Sequence, residues 1–406
     1  MYTRRSVGGN ISSANGVIKS FHNYGYEIHV LSDDMLPSLD NELKEVKFFS
    51  LPFSSFRLLF TKISLGKLLN RVFQKIENYI FEKMMLIKLK QLLRNNFYEY
   101  IYVRASPHVH ILKELIQKYD IKLIVEVNKP LSMGPYNNED TVKWPENKKN
   151  VFIPLVEKIQ YDIAKVITVD SSLRAKWILD FVGDYKNKIL INHNGVDTNN
   201  FKPDIRDQEI LASLKLEPSN IIVGMASSFR WYNDLRELFK IIIKSLKANN
   251  NLRFLLISGD RKKAEYIQSF IDKNKLAKFV KLNIEIPFNE MPKILNICDI
   301  FLSHFNFHKK WPHNCSIKHL EYLALAKPVV ATDVGEVNFA IEDNTNGYLC
   351  KEGQVDEYVK AINRLSKDPI LRKKLGLAGR NKAIFELTWD KNIQRIIKFI
   401  SSLDIK

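Results

Sequence analysis

Cysteine is scarce in this chain: three in 406 residues, Cys298, Cys315 and Cys350, odd in number and widely spaced. That usage supports neither a disulfide framework nor a metal ladder. A reducing, cytoplasmic setting is the simplest one for it. No apolar run approaches the roughly twenty residues that a membrane-spanning helix needs. The opening residues, MYTRRSVGGN, lack the apolar core of a signal peptide. No short-period repeat or low-complexity tract occurs. No set of His, Asp and Glu has metal-ligand spacing, so no protein-held metal is expected. Acidic residues are the minority, 45 against 62 Lys and Arg, for a net charge of +17. Such a balance suits nucleic acid, an anionic membrane surface or a phosphorylated substrate. Without a helix-turn-helix pattern, zinc knuckle or aromatic RNA-binding motif, nucleic acid is not expected as a partner.

What is present is an α/β rhythm. At 406 residues and 45% hydrophobic, the chain can bury two sizeable cores. Short β-rich runs are expected at 27–32 and 46–52, and strands at 98–106, 121–128, 165–170 and 188–193. Helices are expected at 11–24, 108–119, 151–164 and 172–182, and strand–helix–strand order implies a parallel sheet. Residues 131–150 read as a long polar loop. After the turn NGVDTNNFKP at 194–203 the pattern restarts, with strands at 220–228, 253–260, 278–284 and 299–305.

The densest stretch is 314–335, NCSIKHLEYLALAKPVVATDVG. Asn314 and Ser316 can each cap a helix start. Ile317, Leu320, Leu323 and Ala324 recur at helical spacing. Pro328 stops that helix, and Val329, Val330 and Ala331 form a buried strand. A unit of this kind aims N–H groups and a positive dipole end at whatever lies before the helix, as a diphosphate would. Glu321 sits inside the helix, where adjacent ribose hydroxyls could satisfy its carboxylate.

This stretch resembles the nucleotide-sugar signature of retaining family-4 glycosyltransferases of the GT-B fold. The match runs through Ser316, Lys318, Glu321, Tyr322, Lys327, Pro328, Val329, Val330 and Gly335. The resemblance implies two Rossmann-like domains with parallel sheets facing a cleft. It assigns 1–203 to an acceptor-side domain, 204–387 to a nucleotide-sugar domain and 388–406 to a helix crossing back. It implies that Glu321 holds the donor ribose. Arg230 and Lys318 would stabilise the departing diphosphate, with the N–H groups of Cys315, Ser316 and Ile317. His313 stands where many members have a second Glu, beside Asn314. Gly8 and Gly9 match the Gly pair near the donor phosphates. Glu126 and Asn128 end a strand that faces the donor sugar, and both are carried as catalytic candidates. The nucleotide-sugar is a substrate, and no cofactor is implied. The expected activity is transfer to a glycan or lipid-linked acceptor with retention, in cell-surface polysaccharide or lipopolysaccharide synthesis. The rivals are a sugar-nucleotide epimerase and a non-catalytic nucleotide-sugar-binding protein.

Two further expectations concern the first domain. Residues 56–97 are basic and helical in pattern, which suits the inner face of an anionic membrane. The Gly pair also lacks the apolar strand that normally precedes it. A further strand is therefore expected upstream of Met1, and the first domain should show a gap or a rearranged sheet.

Overall fold

The computed structural model describes residues 9–32, 45–50, 67–106, 109–133, 152–229, 233–305 and 315–405. These residues divide into two units. Their unit 1 falls within 17–192 and 393–405, and their unit 2 within 9–16 and 193–392.

Among the described residues, unit 2 holds six strands, all paired in parallel. They are β7 (Ile221–Ser227), β8 (Leu252–Ser258), β9 (Val280–Ile284), β10 (Ile300–Ser303), β11 (Val329–Thr332) and β12 (Gly347–Cys350). Their order across the sheet is β12-β11-β10-β7-β8-β9. Nearly every residue of β7, β8, β10 and β11 is buried. Those continuous apolar runs are what a sheet covered on both faces requires. The helix Leu235–Ala248 presents Leu238, Ile241 and Ile242 to one face. The helix Ile317–Ala324 packs its apolar residues on the other. From β7 the chain builds outward through β8 and β9, then returns to β7's opposite edge with β10. The strand order therefore reverses between β7 and β10, and ligands of open α/β sheets bind at such a reversal.

Among the described residues, unit 1 carries two parallel sheets. β1 (His29–Ser32) pairs β2 (Lys47–Ser50). β3 (Tyr100–Arg104), β4 (Lys122–Val127), β5 (Val166–Val169) and β6 (Ile189–Ile191) form the other, in that order. Leu123, Val125, Ile167 and Tyr161 anchor its core. Asp404 of the last helix, Trp389–Asp404, pairs Lys122 at 2.8 Å and Lys165 at 2.7 Å.

Several boundaries shift from the sequence reading. The region expected as helix at 108–119 opens as a 3-10 turn, Val109–Leu112, before the helix Lys113–Tyr119. The basic stretch forms one long helix, Lys67–Asn95. Two helices carried no expectation: Gln208–Ser213 and Arg261–Lys273. Both begin at an Asp cap, Asp207 and Asp260, whose carboxylates accept N–H bonds from the first turn.

Candidate functional site

At the carboxyl ends of β7 and β10 the chain leaves the sheet on two loops, and the signature helix starts beside them. Ser316 caps that helix, its Oγ accepting the Lys318 N–H at 3.4 Å. All the helix residues are buried except Lys318. The Ile317 and Lys318 N–H groups thus stand at the positive end of a helix whose body is fixed in the core.

Three side chains fix it. The Tyr322 hydroxyl accepts the Ala226 N–H of β7 at 3.0 Å, and its ring stacks on Phe301 of β10 at 3.8 Å. His319 is fully buried, with Nε2 2.6 Å from Ser303 Oγ and Nδ1 3.8 Å from Cys315 Sγ. Burial, with Lys318 nearby, lowers His319 to about 3, so the ring is neutral and acts as a tie. Burial pushes the Cys315 thiol up to about 12, which suits a packing residue and not a nucleophile. Arg380 closes the far end of the helix: its guanidinium donates to Ala324 O at 2.7 Å, Phe201 O at 2.8 Å and Thr198 O at 3.0 Å. A side chain at Gly376 would fall 2.1 Å from Ala326 O, so glycine is what lets the helix Pro369–Glu386 approach this turn.

The β7 loop is tied across to β10. Ser227 Oγ donates to Asn233 Oδ1 at 2.9 Å and accepts the Phe229 N–H at 3.1 Å. Asn233 Nδ2 donates in turn to the His304 carbonyl. Phe229 is fully buried with a φ of 46°, in the left-handed region that non-glycine residues seldom occupy. Arg230 lies outside the described residues, three positions before Asn233, as do Gly8, His313 and Asn314. Gly9 begins the helix Gly9–Asn23.

Glu321 is only 7% exposed. Among the described residues no donor bonds its carboxylate. Burial raises its pKa from 4.5 to about 7, while Lys318 pulls the other way. A raised carboxyl pKa means the fold disfavours the charged form. The contribution of this group to stability is therefore complete below pH 4.5 and is lost as pH rises toward 7, by roughly 3 kcal/mol at most. His319 acts in the opposite sense, costing stability as pH falls below its unfolded value. Urea unfolding of the parent and Glu321→Gln at pH 5 and pH 8 separates the two. The parent's relative stability is expected to drop at pH 8, and the Gln variant removes that drop.

In unit 1, Glu126 lies one residue before the end of β4 but is committed: Arg104 Nε donates to its Oε2 at 2.9 Å, and both groups are largely buried. Asn128 follows it at the strand end, half-buried. The next turn, Leu131–Met133, is held by the fully buried Glu157, which accepts the Leu131 and Ser132 N–H groups at 2.7 and 2.9 Å and the Tyr161 hydroxyl at 2.8 Å. Glu157, Asn233 and Arg380 were not singled out from sequence. Most of their bonds go to main-chain groups, which leave no mark in the residue pattern.

Residues 206–382 match the profile of the family described as Glycosyl transferases group 1. They form a group 1 glycosyltransferase domain. Alpha-maltose-1-phosphate synthase of Mycobacterium tuberculosis is 22% identical over 241 residues, 55% of this chain and 59% of that protein. The chain thus matches about three fifths of that relative's length. The capsular polysaccharide biosynthesis glycosyltransferase CapM of Staphylococcus aureus is 24% identical over 252 residues, 58% of this chain and 62% of CapM. Over the whole chain, Anabaena Alr3699/HepE in complex with UDP superposes with a TM-score of 0.66 at 16% identity, covering 99% of this chain and 98% of that one. That likeness is one of fold: the chain has the GT-B fold. The group 1 domain contains the β7–β10 reversal, Glu321, Lys318 and their ties.

Proposed function

We propose that this protein transfers a sugar from a nucleotide-diphosphate-sugar to a glycan or lipid-linked acceptor, with retention at the anomeric carbon. The observation that carries the reading is Glu321, a buried carboxylate without a described donor, on the signature helix of the group 1 domain. Two vicinal ribose hydroxyls would supply the missing donors. The diphosphate would then lie toward the helix start, against the Ile317 N–H group, the Lys318 ammonium and Arg230. Such preorganised positive charge lowers the cost of the departing diphosphate. Because Glu126 is held by Arg104, we assign Asn128 as the more available polar group of its strand end. A role in cell-surface polysaccharide synthesis is supported by the CapM likeness. Release of UDP or GDP from a panel of sugar donors, with and without acceptor, tests the activity. Nucleotide binding without any acceptor-dependent release would leave a binding protein.

The acceptor side is proposed to sit on an anionic membrane. Among the described residues no helix is long and apolar enough to cross one. The helix Lys67–Asn95 instead exposes Tyr79, Lys83, Ile87, Lys90 and Arg94, a mixed aromatic, aliphatic and basic stripe at helical spacing. Each basic residue at the surface adds about 1 kcal/mol on anionic lipid. Co-sedimentation with vesicles is expected to rise with phosphatidylserine content and fall with salt. Combined Lys83→Gln, Lys90→Gln and Arg94→Gln substitution should abolish that dependence. Binding indifferent to lipid charge would reject the membrane role.

A further inference from the structure

The helix Pro369–Glu386 has two faces of opposite character. Leu375, Gly376, Gly379 and Ala383 are buried, and the glycines let this face close on the signature helix. A side chain at Gly379 would fall 2.6 Å from Leu323 Cδ2. The other face exposes Ile370, Leu377, Ile384 and Phe385, with Ile370 81% exposed. Single exposed apolar residues are ordinary on a protein surface. These are not single. Ile370, Leu377 and Ile384 stand seven residues apart, so they form one row along the helix, about 21 Å long. Heptad spacing is what a second helix packs against.

The row also has a symmetry. Ile370 and Ile384 lie at equal distances on either side of Leu377. A two-fold axis at Leu377 therefore lays two copies of this helix antiparallel. It sets Leu377 beside Leu377, and each Ile370 beside the other copy's Ile384. A two-fold interface requires such self-complementarity.

The charges select the same orientation. Lys373 and Lys374 border the row in its first half. The matching places in its second half hold Arg380 and Asn381, and the Arg380 guanidinium is turned inward onto three carbonyls of its own chain. Antiparallel pairing sets each lysine pair across from that half, whereas parallel pairing would set the two lysine pairs against each other. It also brings the exposed Lys367 to the Glu386 end of the second copy. Asp368, next to Lys367, is occupied in its own cap, accepting the Leu371 N–H at 2.8 Å.

We propose that two copies of this chain associate through the exposed face of Pro369–Glu386, as an antiparallel helix pair about a two-fold axis at Leu377. Introduced cysteines test the geometry in the full chain, because Cys298, Cys315 and Cys350 are all buried. On mild oxidation Leu377→Cys should cross-link to itself. Ile370→Cys alone and Ile384→Cys alone should do so about tenfold less, and an equal mixture of these two should cross-link as readily as Leu377→Cys. Sedimentation equilibrium should show a dimer for the parent. Ile370→Ser, Leu377→Ser and Ile384→Ser together should raise its Kd about a hundredfold or more, with the circular dichroism of the parent kept. A parent that stays monomeric, equal self-cross-linking at all three positions, or a dimer that survives the triple serine variant overturns the proposal. A monomeric parent whose binding to phosphatidylserine vesicles is lost in the triple serine variant would identify a lipid surface as the occupant, against it.

Discussion

Glu321→Ala is expected to weaken binding of a nucleoside diphosphate by roughly 1–3 kcal/mol, the range for leaving a buried hydrogen-bonding group without its partner. That is about a 5- to 150-fold rise in Kd. The fold should survive, because Tyr322, His319 and Arg380 fix the helix without help from the Glu321 carboxylate. The effect should also depend on pH. Ribose hydroxyls donating to the carboxylate favour its charged form, so nucleotide binding expels a proton from a group whose free-state value is about 7. Affinity of the parent should therefore tighten from pH 6 to pH 8. Glu321→Gln, which keeps the shape without the titration, should flatten that slope. Isothermal titration at three pH values reads both outcomes, and unchanged affinity in Glu321→Ala rejects the ribose role.

The second large effect concerns phosphate. Arg230→Ala and Lys318→Ala are each expected to cost roughly 1.5–3 kcal/mol in nucleoside diphosphate affinity while leaving nucleoside affinity nearly unchanged. Lys318 is the one helix residue of the signature that is not buried, and it stands one position into the capped turn. Arg230 lies in sequence between Phe229, which Ser227 holds, and Asn233, which donates to the His304 carbonyl. A guanidinium offers phosphate a bidentate fork. Asn233→Ala, which removes the tie to the His304 carbonyl, should weaken diphosphate binding too. Equal losses for nucleoside and nucleoside diphosphate would mean that neither cation meets phosphate.

Much of this architecture was legible because it is written in local patterns. Residues 221–226, 254–257 and 329–331 are unbroken apolar runs, the mark of strands covered on both faces. Ser316 as a cap and Glu321 within the helix follow from spacing alone. The helix Arg261–Lys273 was missed because its polar opening, RKKAE, hides a buried stripe of only Ala264, Ile267 and Ile271. The supports of the site were illegible for a different reason. Arg380 reaches carbonyls up to 182 positions away, and Asn233 reaches one 71 positions away. Any residue supplies a carbonyl, so these bonds exist only once the chain is folded. Glu126 shows the converse: its place at a strand end suggested reactivity, and folding paired it with Arg104.

A crystal structure of the full chain with UDP or GDP bound tests the central claim most directly. The account predicts the ribose hydroxyls within hydrogen-bond distance of the Glu321 carboxylate, and the diphosphate against the Ile317 N–H group and the Lys318 ammonium at the reversal between β7 and β10. A nucleotide seated elsewhere, with the Glu321 carboxylate untouched, would contradict it.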